Sequence, residues 1–197
     1  MNTPCTARSV EPRPAITRSL TSRPQQRGFT SLEALAAVTV LAITLGSVVP
    51  GFKQMRERRH LEGAAAQLAT DLRYARSLAV SQRAAVRLSV HTQGNNSCYV
   101  VHTGAVADCS CSGSTGAAQC NANAQLLQSA IFDANGPVRL ASNSRSMLFD
   151  PDRGTVTPTS TMRLQLSSGA AVHQVVNIMG RVRACSPQAG VPGYPVC

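Results

Sequence analysis

The sequence predicts an α+β protein: a long N-terminal helix, in part transmembrane, packed on an antiparallel β-sheet domain. Three observations point there. Residues 34–52 form a run of 19 without a charged side chain, close to the ~20 residues that carry a helix across a bilayer. Shortly after it, Leu61, Ala65, Leu68, Leu72, Ala75 and Ala79 recur at intervals of three and four, which places them on one helix face. Beyond Ala84 the apolar period becomes two, the repeat of a half-buried strand.

Taken in chain order, residues 1–28 read as a leader, rich in Arg, Pro, Ser and Thr and without an apolar period. Residues 29–52 form the transmembrane half of the helix and residues 53–82 its amphipathic half, so that one helix runs from about Phe29 to about Gln82. An ordinary secretory signal is cut after its apolar core; here the candidate cut, Gly28–Phe29, precedes it. Pro50 and Gly51 predict a kink. Arg59, Glu62, Arg73 and Arg76 fall mostly off the apolar stripe.

Residues 83–197 form the β domain. Its expected strands are Ala85–Val90, Cys98–His102, Ser146–Asp150, Met162–Leu166 and Ala171–Met179, with "DANGP" and "DPDRG" as turns. Thr103–Ala124 is long, small and polar, an unusual loop unless something ties it down. Cysteines supply the ties. Cys5 lies in the leader, and the other six (Cys98, Cys109, Cys111, Cys120, Cys185, Cys197) form an even set, which reads as disulfides in an oxidising compartment. A metal site on Cys109, Cys111 and Cys120 is the weaker alternative, since no second well-spaced pair or nearby His completes it. A Cys185–Cys197 bond would hold the Pro- and Gly-rich tail; the other four would pair around the long loop, with Cys109–Cys111 geometrically least suited.

The chain carries a formal net charge of +10, so an anionic partner is expected. Five leader arginines account for part of this; from Gly28 onward 14 basic and 8 acidic residues leave +6. Catalysis has little support. His60, His91, His102 and His173 have no acid or nucleophile in a recognisable pattern, Asp150 and Asp152 read as turn acids, and no phosphate loop, cofactor motif or metal set is present.

Glu33 is the odd residue, an acid at the start of a membrane-length apolar stretch, where a carboxylate costs several kcal/mol on insertion scales, about 2.5–3.5 at a helix centre. The stretch "RGFTSLEALAAVTVLAITLGSVVPGF" resembles the N-terminus of type IV pilin-like proteins. The resemblance implies that a prepilin peptidase cuts after Gly28, that Phe29 is then methylated, and that Glu33 serves assembly. In a filament of pilins a neighbour's terminal amine would neutralise that carboxylate. "SLEAL" departs mildly from the commoner family pattern. Five leader arginines against Lys53, Arg56, Arg58 and Arg59 leave the charge rule for orientation nearly even. The resemblance, rather than charge, puts the leader in the cytoplasm, the helix in the inner membrane as a single pass, and the β domain in the periplasm or, after assembly, on the cell surface.

"AAQLATDLRYARSLAVSQRAAVRLSV", "SMLFDPDRGTV" and "VVNIMGRVRACSP" are similar to segments of the GspH/FimT group of minor pilins and pseudopilins. Proteins of the FimT kind in that group bind DNA in natural transformation through a Gly-Arg-x-Arg motif, which Gly180, Arg181 and Arg183 match. On physical grounds alone, Arg181 and Arg183 on an extended chain project to one side and each can fork onto a phosphate. A solvated edge strand guarded by basic residues is the bland alternative. Two contacts imply a salt slope of only about −2. Arg139, Arg145, Arg153 and Arg163 would extend the patch if they share its face. The expected ligand is double-stranded DNA bound through its backbone without sequence preference. A structural pilin that primes assembly and a type II secretion pseudopilin share the same anchor and are the rival readings.

Overall fold

A computed structural model of the chain describes residues 28, 30–111, 117–187 and 190–197, with residues 47–50 as backbone only. The expected leader, Cys5 and Phe29 lie outside the described residues. The chain divides into two units, one ending at Thr44 and one comprising Leu45–Cys197. A single helix, α1 (Ser31–Gln82, 52 residues), contributes to both.

In the first unit, Thr30 caps the helix. Its carbonyl accepts the first helical hydrogen bond, from Ala34 N at 3.1 Å, and its Oγ1 accepts one from Glu33 N at 3.3 Å. Glu33 therefore lies in the first turn, where the unpaired N–H groups favour an anion. The apolar side chains from Leu32 to Leu45 are exposed, and α1 is long and apolar enough to cross a membrane. The backbone is helical through Pro50 and Gly51.

In the second unit, the face of α1 bearing Leu61, Ala65, Leu68, Leu72, Ala75 and Ala79 is fully buried, as the 3–4 spacing predicts. It meets the inner faces of two antiparallel sheets. One contains β1 (Val86–Gln93), β2 (Asn96–Thr103), β5 (Leu126–Phe132), β7 (Ser146–Phe149) and β8 (Val156–Thr157), in the order β5-β2-β1-β7-β8. The other contains β6 (Val138–Ser142), β9 (Ser160–Leu166), β10 (Ala171–Val176) and β11 (Val182–Cys185), in the order β11-β10-β9-β6. Leu88, Tyr99, Val101, Phe149, Met162, Leu164, Val172 and Val176 complete one core. Tyr99 donates its hydroxyl to Asp71 of α1 at 2.6 Å, and both residues are buried.

The long polar loop folds into a small hairpin, β3 (Cys109–Cys111) with β4 (Ala118–Cys120), held by Cys98–Cys111 and Cys109–Cys120 disulfides. It covers the other face of β2, where Cys98 and Val100 pack with Cys109 and Cys111. This explains why β2 is apolar on both faces instead of alternating. Cys109, Cys111 and Cys120 are all consumed by these bonds, which leaves nothing for the alternative metal site. Cys185 bonds Cys197, and Val191 of the enclosed tail is buried in the main core.

Strand limits differ from the periodicity in two ways. β3, β4, β5, β6 and β8 add strands that the sequence pattern does not single out. The expected strand to Met179 stops at Val176, and Asn177–Gly180 form a turn that leaves Ile178 and Met179 exposed.

Candidate nucleic-acid interface

The β10–β11 hairpin builds the Gly-Arg-x-Arg segment. Val176 pairs Val182 and Val175 pairs Arg183. The next pair closes the turn: Asn177 N donates to Arg181 O at 3.1 Å, Gly180 N donates to Asn177 O at 2.9 Å, and Arg181 N donates to Asn177 Oδ1 at 2.9 Å. Gly180 has φ +69°, in the left-handed region. A Cβ there would lie 2.7 Å from Arg76 Cδ, Arg76 Nε and Gly154 O. Glycine is thus required by conformation and by space. Val182 and Ala184 pack on the core, whereas Arg181 and Arg183 are exposed.

Of the rest of the expected patch, Arg139 and Arg163 share this face, Arg153 lies in a neighbouring turn of the other sheet, and Arg145 falls elsewhere. In the four-stranded sheet, Arg163 pairs Ala141 and His173, His173 pairs Cys185, Val175 pairs Arg183, and Arg139 pairs Gln165. Paired residues point to the same side, so Arg139, Arg163 and Arg183 all occupy the outer face and run across it diagonally. Strand spacing of about 4.8 Å and rise of about 3.3 Å put Arg183 and Arg163 about 12 Å apart at their Cα atoms, and Arg163 and Arg139 about 8 Å. No strand of this sheet contains an acid. Arg153 lies in the Asp150–Gly154 turn, which abuts the Gly180 turn through a Val156 N to Ile178 O hydrogen bond of 2.8 Å. In that turn Asp150 Oδ1 accepts from Asp152 N and Arg153 N. Arg145 falls elsewhere: its carbonyl accepts from Val90 N of β1, which places it beside the five-stranded sheet.

None of these six arginines forms an ion pair among the described residues; the ion pairs there join Arg58 and Arg59 to Glu62. Burial, with a smaller contribution from Arg163, lowers the His173 pKa below the ordinary histidine value, so this face does not gain charge from His173 at neutral pH. The tail end lies on the same face, where Cys197 Sγ is 3.7 Å from His173 Nδ1.

Arg76, which sequence spacing places only off the apolar stripe, reaches both turns. Its Nε donates to Gly154 O at 2.9 Å, and with Arg73, Ser77, Val80, Ser81 and Gly180 it lines a groove. Both contacts are distant in sequence, and only the glycines of "DRG" and "MGR" hint at them. Ser89 Oγ and His102 Nε2 stand 2.9 Å apart, but both residues are buried and His102 Nδ1 is bound to Thr103 O, so the pair reads as a packed hydrogen bond.

An apolar N-terminal helix that continues into a disulfide-tied antiparallel sheet domain defines a pilin-like subunit, a minor pilin or pseudopilin. The chain belongs to the family of the type II transport protein GspH, whose model matches residues 64–180. Two crystal structures of the type IV minor pilin FimU from Pseudomonas aeruginosa (strain PAO1) are similar. One is 21% identical, with 67% of this chain and 96% of that chain covered and a TM-score of 0.48. The other is 18% identical, with 65% and 98% covered and a TM-score of 0.47. No curated protein matches the chain.

Proposed function

We propose that this chain is a minor pilin whose outer sheet face binds double-stranded DNA through its backbone, without sequence preference, for DNA uptake. The observation that carries the reading is the diagonal of Arg183, Arg163 and Arg139 on a sheet face whose strands hold no acid, with Arg181 at its turn end and Arg153 in the adjoining turn, beside Asp150 and Asp152. The diagonal extends about 20 Å, a length over which a duplex presents on the order of ten phosphates. Five arginine contacts would give a salt slope near −4.5 rather than the −2 or so expected of the motif pair alone. Flat arginine forks without aromatic platforms suit phosphates and not bases.

The N-terminal half supplies delivery. Prepilin peptidase cuts between Gly28 and Phe29, the new terminus is methylated, and α1 holds the subunit in the inner membrane with the β domain in the periplasm. On assembly Glu33 meets a neighbouring pilin's amine and the domain moves to the cell surface. The capped first turn supports this role, because it fixes Glu33 at the helix entrance, beside the new terminus.

The family description favours one second reading, a pseudopilin that moves exported protein in type II transport. Fluorescence anisotropy of a labelled 20-base-pair duplex, titrated with the full chain in detergent from 50 to 300 mM salt, separates the two. The DNA reading expects salt-sensitive binding with a slope of about −4 or steeper, against the −2 or so of the motif pair alone. Absence of salt-sensitive binding removes the DNA reading and leaves the structural pilin that primes assembly and the transport pseudopilin.

A further inference from the structure

We infer that the groove between α1 and the Gly180 turn is a phosphate seat, with Arg76 as its fixed fork and Arg73 as its second cation. This rests on the DNA reading and carries the interface around the Gly180 turn at the hairpin end, since α1 packs on the inner side of the sheet. The Arg76 side chain threads between two turns from different sheets, at Gly154 (φ +63°) and Gly180 (φ +69°). A Cβ on Gly154 would stand 3.2 Å from Arg76 Nε and 3.0 Å from Val80 Cγ2, and one on Gly180 would stand 2.7 Å from Arg76 Cδ and Nε. Two left-handed glycines thus leave space for one arginine, whose Nε is tied to Gly154 O.

With Nε spent, the Nη groups of Arg76 have no acceptor among the described residues. An arginine held in this way presents its remaining N–H edge in a set direction, the geometry that suits a phosphate fork. Arg73, one turn earlier on the same face, is exposed and likewise unpaired among the described residues, and no carboxylate lines the groove. A cation that merely complements the helix C-terminus explains neither glycine. Phosphate is favoured over a neighbouring subunit's carboxylate by continuity: Gly180 lines the groove and leads directly into Arg181, and Arg153 precedes Gly154.

The test uses the full chain in detergent and a 20-base-pair duplex, with Arg73→Gln, Arg76→Lys and the pair Arg181→Ala, Arg183→Ala compared by anisotropy, and circular dichroism as the check on folding. The seat predicts that Arg73→Gln weakens binding about eightfold at 0.1 M salt and reduces the slope by about 1. Arg76→Lys keeps the charge but loses the Nε tether, and is expected to weaken binding as well. If both bind as wild type while the Arg181/Arg183 pair does not, the seat is overturned and the DNA reading stands. Wild-type DNA affinity in Arg73→Gln together with lost filament incorporation assigns the groove to a neighbouring carboxylate and also overturns it. If the wild type fails to bind duplex, the DNA reading falls, and sodium pyrophosphate is titrated against the arginine Nε–H resonances. A saturable shift at Arg76 that is absent in Arg73→Gln sustains an anion seat; no shift refutes it.

Discussion

Arg76 Nε donates a 2.9 Å hydrogen bond to the carbonyl of Gly154, which ties the helix to the turn between β7 and β8. Gly180 closes over the same side chain from the β10–β11 hairpin, so one arginine locks two turns together. Gly180→Ala is therefore expected to cost about 1–3 kcal/mol through backbone strain alone, with Arg76 displaced in addition. Urea denaturation measures the loss, and a stability within 0.5 kcal/mol or so of wild type would show that the turn relaxes freely.

Tyr99→Phe removes the donor that satisfies the buried Asp71 carboxylate at 2.6 Å. The side chain keeps its packing, so the effect isolates the hydrogen bond. A loss of about 1–3 kcal/mol is expected, because a buried acceptor is left unpaired. Replacing both partners, as Tyr99→Phe with Asp71→Leu, is expected to recover part of it.

Stability is expected to fall on both sides of neutrality. Burial lowers the pKa of His102, despite its bond to Thr103 O, and burial with Arg163 lowers that of His173. The unfolded chain then takes up protons first, and folding stability is lost as pH drops through the ordinary histidine value of about 6.5. Burial and Asp71 raise the Tyr99 pKa far above the usual phenol range, so the unfolded chain also ionises first above about pH 10. Thermal melts at constant ionic strength from pH 5.5 to 10.5 check both limbs. A melting temperature that rises between pH 7.5 and 5.5 would contradict the histidine assignment.

Cys197→Ser opens the loop from Cys185, 12 residues long by sequence separation. Loop entropy suggests a loss of about 3 kcal/mol. Val191, buried at 1% exposure, and the Ser186 N to Pro195 O bond of 2.8 Å would hold the tail less firmly. Hydrogen exchange at Val191 and Tyr194 is expected to accelerate more than exchange in β9.

The buried helix stripe was legible because its 3–4 spacing reports directly on one face, and all six of its residues are fully buried. β6 has an alternating pattern but only five residues, and β5 is half-buried along most of its length, so neither announces itself by period. Ile178 and Met179 read as strand because apolar character cannot distinguish a turn from its strand; Gly180 and the Asn177 hydrogen bonds end β10. The two arginines of the motif were legible as a pair. Arg163 and Arg145 look alike in sequence, and only register assigns them to different sheets. Arg76 was hidden for a similar reason, since its acceptor lies 78 residues away.

The same contrast gives the most direct test of the DNA-binding face. Arg163→Glu and Arg145→Glu change net charge equally, yet only Arg163 stands on the diagonal with Arg183 and Arg139. Duplex affinity of the full chain at 0.1 M salt should fall at least tenfold for Arg163→Glu and less than twofold for Arg145→Glu, on the order expected when one phosphate contact becomes a repulsion. Equal losses for the two would mean that overall charge, and not this sheet face, attracts DNA.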